Sequence, residues 1–214
     1  MVAPNLDSIR QEYALSSLSE KDIMLDPILQ FDTWFGEAIK AEIDDVNAMV
    51  LSTIDANNHP HNRMVLLKGL ENRQFVFFTN YHSAKGQNIA VNNKVSLLFF
   101  WKELQRQVRI DGVAEKISEK ASTEYFLSRP IESQLGAWAS QQSEVLPSRE
   151  VLDERFLALQ NEYLNKTIPK PPHWGGYAVT PSSIEFWQGR ASRLHDRLLF
   201  TLSNGEWILQ RLNP

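Results

Sequence analysis

Two arginines bracket a histidine at alternate positions in the segment Trp187-Gln-Gly-Arg-Ala-Ser-Arg193-Leu-His195-Asp-Arg197. An extended chain points alternate side chains to one face, so this spacing predicts Arg193, His195 and Arg197 in a single row. Cations on either side of an imidazole repel one another and depress its pKa unless an anion or a flat aromatic ligand lies among them. A stable core has no use for that arrangement. A pocket for a phosphorylated aromatic small molecule does.

Four further groups carry chemistry. Arg63-Met-Val-Leu-Leu-Lys68 has a cation at each end of an apolar strand pattern. Strict alternation sets Arg63 and Lys68 on opposite faces. Either the strand bends near Lys68, or the two cations serve different groups of a stacked pair of ligands; alone, the pattern also suits a buried strand with solvated ends. In Phe78-Thr-Asn-Tyr-His-Ser83-Ala-Lys85 a strand runs into a capped helix start, and a lysine in that first turn is favourable only beside an anion. Gln105-Arg-Gln107-Val-Arg109-Ile-Asp111 alternates, with its polar face towards solvent or reading the edge of a heterocycle. Tyr125-Phe-Leu-Ser-Arg129-Pro130-Ile-Glu-Ser133 places proline at the first position of a helix, Arg129 at its mouth and Ser133 in its first turn. That is a phosphate cradle or a capped helix junction. Gln142-Ser143 lies in a polar loop that means little alone.

The elements that must position these groups follow from periodicity and caps. Residues 5–15 read as a short helix and 16–25 as a loop. Asp26-Pro27 is an N-cap followed by proline, and the apolar spacing then predicts a helix over 27–43. Strands are predicted at 47–54, 61–68, 73–80, 94–101 and 105–116, with a Ser83-capped helix over 84–92. Residues 118–137 read as helical but interrupted at Pro130, and another helix runs from Pro147 to about Leu164. Strands near 176–180, 183–189, 196–202 and 206–212 complete the chain. Antiparallel runs with inserted helices predict a mainly β fold, a β-barrel with peripheral helices, in one domain spanning 1–214 with a flexible N-terminal segment of about 25 residues.

Composition narrows the function. The 214 residues suffice for one well-buried core, and a net charge of −4 argues against a nucleic-acid coat. Absence of cysteine excludes disulfides, thiolate metal sites and a cysteine nucleophile. The five histidines lack metal-ligand spacing, and no Walker loop, nucleophile elbow or dinucleotide glycine fingerprint occurs. Neither a signal peptide nor a bilayer-length apolar run is read, so a cytoplasmic location without nucleic-acid or membrane partners is expected.

Taken in order, Arg63-Met-Val-Leu-Leu-Lys68, Gln105-Arg-Gln-Val108, Tyr125-Phe-Leu-Ser-Arg-Pro130, Gly136-Ala-Trp-Ala-Ser-Gln-Gln-Ser143, His173-Trp-Gly-Gly176 and Glu185-Phe-Trp-Gln-Gly-Arg-Ala-Ser-Arg-Leu-His-Asp-Arg197 resemble the pyridoxine (pyridoxamine) 5′-phosphate oxidase family. The resemblance runs from about Ile9 to the C-terminal end and implies an FMN-dependent homodimer with an antiparallel split β-barrel and sites at the subunit interface. It implies FMN contacts at Arg63, Met64, Val65, Leu66, Leu67, Lys68, Phe78, Thr79, Lys85, Gln107, Gln142, Ser143, Trp187 and Arg197. Lys68, Tyr125, Arg129 and Ser133 match a substrate-phosphate site, and Arg193 and His195 match catalytic residues over the substrate ring. Arg10 and Tyr13 match a segment that closes over the substrate, and Asp45 an acidic residue near the site. Ala84 stands where a second cation is common and Phe78 where a tyrosine is common, so somewhat weaker FMN retention is expected. The implied reaction oxidises pyridoxine or pyridoxamine 5′-phosphate to pyridoxal 5′-phosphate with oxygen. The alternatives are a non-catalytic FMN or pyridoxal-phosphate carrier, and another split-barrel flavin reductase.

Overall fold

The computed structural model describes residues 12–214. Its contacts divide the chain into two compact units built from non-contiguous segments. The terminal unit takes in the chain up to Ala48, Leu97–Asp111 and Pro181–Pro214; the central unit takes in Met49–Ser96 and Gly112–Thr180. Nine strands form a sheet in the order β2-β1-β5-β6-β7-β4-β3, with β8 paired to β7 and β9 to β8. They are β1 (Ala48–Ile54), β2 (Pro60–Leu66), β3 (Gly69–Glu71), β4 (Gln74–Asn80), β5 (Lys94–Trp101), β6 (Arg106–Lys116), β7 (Trp174–Gln188), β8 (Asp196–Ser203) and β9 (Glu206–Leu212). Five α-helices accompany them among the described residues: α1 (Pro27–Lys40), α2 (Ala84–Val91), α3 (Glu119–Ser128), α4 (Ile131–Ala139) and α5 (Arg149–Glu162). The mainly β, antiparallel class expected from the sequence is the one found.

In the terminal unit α1 starts where its signals place it. The Asp26 carboxylate accepts from the Ile28 and Leu29 amides, and Pro27 opens the helix, where no amide donor is needed. Its inner face buries Ile28, Phe31, Trp34 and Ala38. Phe31 packs on Phe99 at 5.0 Å between ring centres, and Trp34 meets Phe186 edge-on at 5.2 Å. Burying each such ring stabilises the unit by about 2–3 kcal/mol. The antiparallel ladders β7–β8 and β8–β9 set Trp187 opposite Arg197 and Arg197 opposite Leu212.

In the central unit β4 pairs antiparallel with the first half of β7, setting Phe78 opposite Gly176 and Thr79 opposite Gly175. A β-carbon on Gly176 would come within 2.9 Å of the Phe78 ring, so glycine there lets that ring lie against the strand. Phe126, Leu135, Ile168 and Trp174 form a buried cluster with Phe78 and Tyr125 packed on it.

Several boundaries differ from the sequence reading. Residues 176–180 and 183–189 belong to one strand, β7, whose pairing passes from β4 up to Val179 to β8 from Ser183, on either side of Pro181. The strand predicted over 61–68 stops at Leu66, and a short β3 follows. Pro130 caps α4 from outside instead of opening it. Residues 12–15 are not helical, and the rest of the helix predicted over 5–15 lies outside the described residues. No helix among those described is long and apolar enough to cross a membrane.

Candidate functional site

A cavity of about 360 Å³ in the central unit gathers much of the predicted site. Its walls include Met64, Val65, Leu66, Lys68, Phe78, Thr79, Lys85, Tyr125, Arg129 and Gln142, all expected from sequence. Asn80, Gly136, Ala137, Ser140 and Trp174 complete it. On one side the β4 end, the α2 start and the 140–148 loop converge. Ser83 caps α2 by accepting from the Gly86 amide. The Lys85 ammonium donates to Ser83 Oγ at 3.2 Å and to Gln142 Oε1 at 3.1 Å. Thr79 Oγ1 reaches the same Gln142 oxygen at 3.4 Å. Three cofactor-contact expectations, Thr79, Lys85 and Gln142, thus form one hydrogen-bonded group. Lys85 is 8% exposed, and its pKa is pushed down to about 8, first by burial and then by the charge of Arg63.

Arg63 and Lys68 part to different faces, as alternation requires. Leu67 turns inward and is buried, and Lys68 then lines the cavity. Arg63 turns instead to Leu51 O at 3.0 Å and Thr53 Oγ1 at 2.7 Å. Thr53 also accepts from the buried Asn88 amide at 3.0 Å, so Asn88 braces Arg63 through a shared hydroxyl. Nothing in the sequence marks Asn88, whose role depends on which strand faces α2.

On the other side three aromatic rings lie nearly parallel. Phe78 stacks on Tyr125 at 3.7 Å and on Trp174 at 5.4 Å. The Arg129 guanidinium sits 4.7 Å from the centre of Trp174. Its Nη1 is buried without a hydrogen-bond partner, and burial lowers the arginine's pKa. Burial likewise raises that of Tyr125, against the pull of Arg129. No ion pair engages Arg63, Lys68, Lys85 or Arg129 among the described residues. Arg63, Lys85 and Arg129 are desolvated as well, and desolvated cations without carboxylates are a standing demand for an external anion. Ser133 sits in the first turn of α4, half-buried, but does not line the cavity; Ser143 is exposed in the loop beyond Gln142 with a left-handed backbone. Trp174 was missed as a wall residue, although an aromatic opening a strand after a Pro-Pro loop is a readable signal.

The terminal unit holds the remaining expected residues. The Arg193–Arg197 segment is not extended. Ala191–Arg193 forms a 3-10 turn in which Ser192 and Arg193 adopt φ of 57° and 62°, and β8 begins only at Asp196. The single row expected from alternation therefore does not exist, because consecutive left-handed residues fold the chain back. Arg193 is exposed in the turn. His195 lies 4.6 Å from the Trp187 ring and 6.0 Å from Tyr13, and its Nδ1 accepts from the Arg190 amide at 3.1 Å. Its pKa is lowered, by burial and then by Arg193. Arg197 donates to both Glu185 oxygens at 2.7 and 3.1 Å, which raises its pKa. Glu185, 5% exposed, also takes Arg109 at 3.3 Å. Gln107 is half-buried on β6, whereas Gln105 precedes the strand in a left-handed turn and its Oε1 accepts from the Ala14 and Leu15 amides. Asp45 occupies the turn before β1, and Arg10 lies outside the described residues.

Comparison with known proteins converges on one family. Residues 35–161 match the family described as pyridoxamine 5′-phosphate oxidase, and residues 174–214 match the pyridoxine 5′-phosphate oxidase C-terminal dimerisation region. The chain is 52% identical over 210 residues to a pyridoxine/pyridoxamine 5′-phosphate oxidase of Acaryochloris marina, covering 98% of this chain and 96% of that protein. It is 50% identical over 213 residues to the protein of that name from Cupriavidus necator, covering 98% and 99%. Among solved structures it is similar to PhzG from Burkholderia lata in complex with tetrahydrophenazine-1-carboxylic acid, with a TM-score of 0.88 and 27% identity over 94% of this chain and all of that one.

Proposed function

The chain belongs to the pyridoxamine 5′-phosphate oxidase family, and from that premise we propose that it is an FMN-dependent oxidase of pyridoxine and pyridoxamine 5′-phosphates. The observation that carries this reading is the cavity in which buried Lys85 and half-buried Arg129, with its Nη1 buried, lack any carboxylate partner among the described residues. The donor set fits FMN. Lys85 and Arg63 suit a phosphate, Gln107 and Gln142 can each donate to and accept from a heterocycle edge, and Phe78 presents an aromatic wall. Trp187, Ser143, Arg197 and the 63–68 segment are its further contacts. When bound, FMN supplies a two-electron acceptor that molecular oxygen regenerates.

The chain's own residues bind and orient. Lys68, Tyr125, Arg129 and Ser133 take the substrate phosphate, and the unpaired Arg129 Nη1 gains the acceptor it lacks. Fixing the phosphate orients the attached ring and turns an encounter into a near-attack geometry. Arg193 stabilises negative charge on the ring substituents and His195 hydrogen-bonds to them. Arg10 and Tyr13 belong to a segment that closes over the substrate. The alcohol carbon loses two electrons and two protons to give the aldehyde, and oxygen becomes hydrogen peroxide; the amine follows the same course, consuming water and releasing ammonia. The C-terminal region pairs two copies into a homodimer, with FMN at the subunit interface.

Oxygen uptake by the FMN-loaded protein tests the reading. Uptake is expected with pyridoxine 5′-phosphate and pyridoxamine 5′-phosphate, with stoichiometric peroxide and pyridoxal 5′-phosphate. Equal uptake with unphosphorylated pyridoxine, or none with either phosphate, would refute it.

A further inference from the structure

We infer that His195 serves the reaction as a neutral hydrogen-bond donor through Nε2–H and not as a proton acceptor. This rests on the oxidase reading above, which brings a substrate to His195, but the protonation state follows from the turn itself. The Arg190 amide donates to His195 Nδ1 at 3.1 Å. A backbone N–H can only donate, so Nδ1 must offer its lone pair, and a neutral imidazole then carries its proton on Nε2. The contact spans five residues and exists because Ser192 and Arg193 take left-handed conformations that fold the turn back. Two consecutive non-glycine residues in that region are strained, so the surrounding fold holds this geometry against local preference.

The charges facing the ring oppose any second proton. Burial disfavours the imidazolium, and so does the charge of Arg193, two residues earlier in the turn. Asp196 is the adjacent carboxylate, but its oxygens are taken at 2.8 Å by Arg190 Nη1 and Arg211 Nη1 and at 3.0 Å by the Leu18 amide. Tyr13 and Trp187 present rings without charge. Protonating Nδ1 would set two N–H groups against each other. Nε2, by contrast, has no hydrogen-bond partner among the described residues and His195 is only half-buried, so its N–H is available to a ligand. The acceptor it suits is an oxygen on an aromatic ring that gains negative charge as the side-chain carbon is oxidised.

Nitrogen NMR of protein labelled with 15N-histidine reads the state directly, with His195 assigned by its loss in H195Q. The expected result is an unprotonated Nδ1 and a protonated Nε2 at neutral pH, with the imidazolium appearing only at lower pH than for an exposed histidine. An Nδ1–H tautomer, or an imidazolium at pH 7, overturns the inference whether or not the protein is an oxidase. Kinetics of the FMN-loaded protein give the second arm. H195A should lose about a hundredfold in kcat, the scale of one oriented donor, and H195Q, which can present an N–H near the Nε2 position, should recover at least about tenfold of it with the wild-type pH profile. Equal losses in both variants, with a vanished acidic limb of the profile, would identify a proton acceptor instead. Failure of the wild type to oxidise either phosphate would sink the oxidase reading while leaving the NMR result intact.

Discussion

The two units use the same cations in opposite ways. In the terminal unit Arg197 is clasped by Glu185, Arg190 by Asp196, and Arg211 by Glu20 and Asp196, and the pKa values of Arg197 and Arg211 are raised. In the central unit Arg63, Lys85 and Arg129 are desolvated without a carboxylate, and all three pKa values are lowered. Chain-supplied carboxylates make the first set part of the fold. The second set is left without an anion of its own, and the proposed binding site rests on that difference.

That contrast can be broken from either side. The largest effect should come from removing a carboxylate that holds two arginines: Glu185→Ala is expected to cost about 3 kcal/mol, because a nearly buried charge partner is lost. Chemical denaturation at fixed protein concentration measures it, and a loss within about 1 kcal/mol would mean these pairs behave like exposed ones. In the cavity the mirror experiment is Arg129→Met. Stability should hold or rise slightly, since an unsatisfied buried donor disappears, while affinity for pyridoxal 5′-phosphate falls about a hundredfold, or about 3 kcal/mol. If the unit unfolds instead, Arg129 is structural and the contrast is wrong.

A third test uses pH. With its pKa at about 8, Lys85 holds its proton and its anion affinity below that value and loses both above it. FMN affinity of the free protein should therefore be flat below pH 8 and decline above it, by up to about tenfold per unit. Stability runs the other way. Between pH 8 and the ordinary lysine value of 10.5 the unfolded chain keeps a proton that the folded one has released, so this group's contribution rises with pH across that window. Titrating Lys85→Met alongside should flatten both trends; an unchanged slope would exonerate Lys85. The smallest effect is expected at the strained turn, where Ser192→Gly should raise stability by about 0.5 kcal/mol, relief of the left-handed cost being partly offset by glycine's entropy. Calorimetry showing a clear loss would mean that the Ser192 side chain carries a contact worth more than its strain.

Much of this molecule is legible in its sequence. Asp26-Pro27 and Ser83 announced two helix starts by cap chemistry, which is local. The cavity residues Lys68, Phe78, Thr79, Lys85, Tyr125, Arg129 and Gln142 were all named from motif and family resemblance. Alternation held between Arg63 and Lys68, which do part to different faces, and failed where the backbone leaves the extended region, at Gln105 and at Ser192-Arg193. A period-of-two argument cannot see a left-handed residue that is not glycine.

By itself the chain determined which side chains are cations, where the capped helices begin, and that no cysteine chemistry is in play, because composition, periodicity and capping act within a few residues. Which cation is neutralised and which is left wanting was decided only by tertiary structure. Glu185 finds Arg197 across a β7–β8 ladder, and Arg129 finds the face of Trp174 but no acceptor. Desolvation and pairing are sums over neighbours that folding brings from distant segments, and no local spacing contains them.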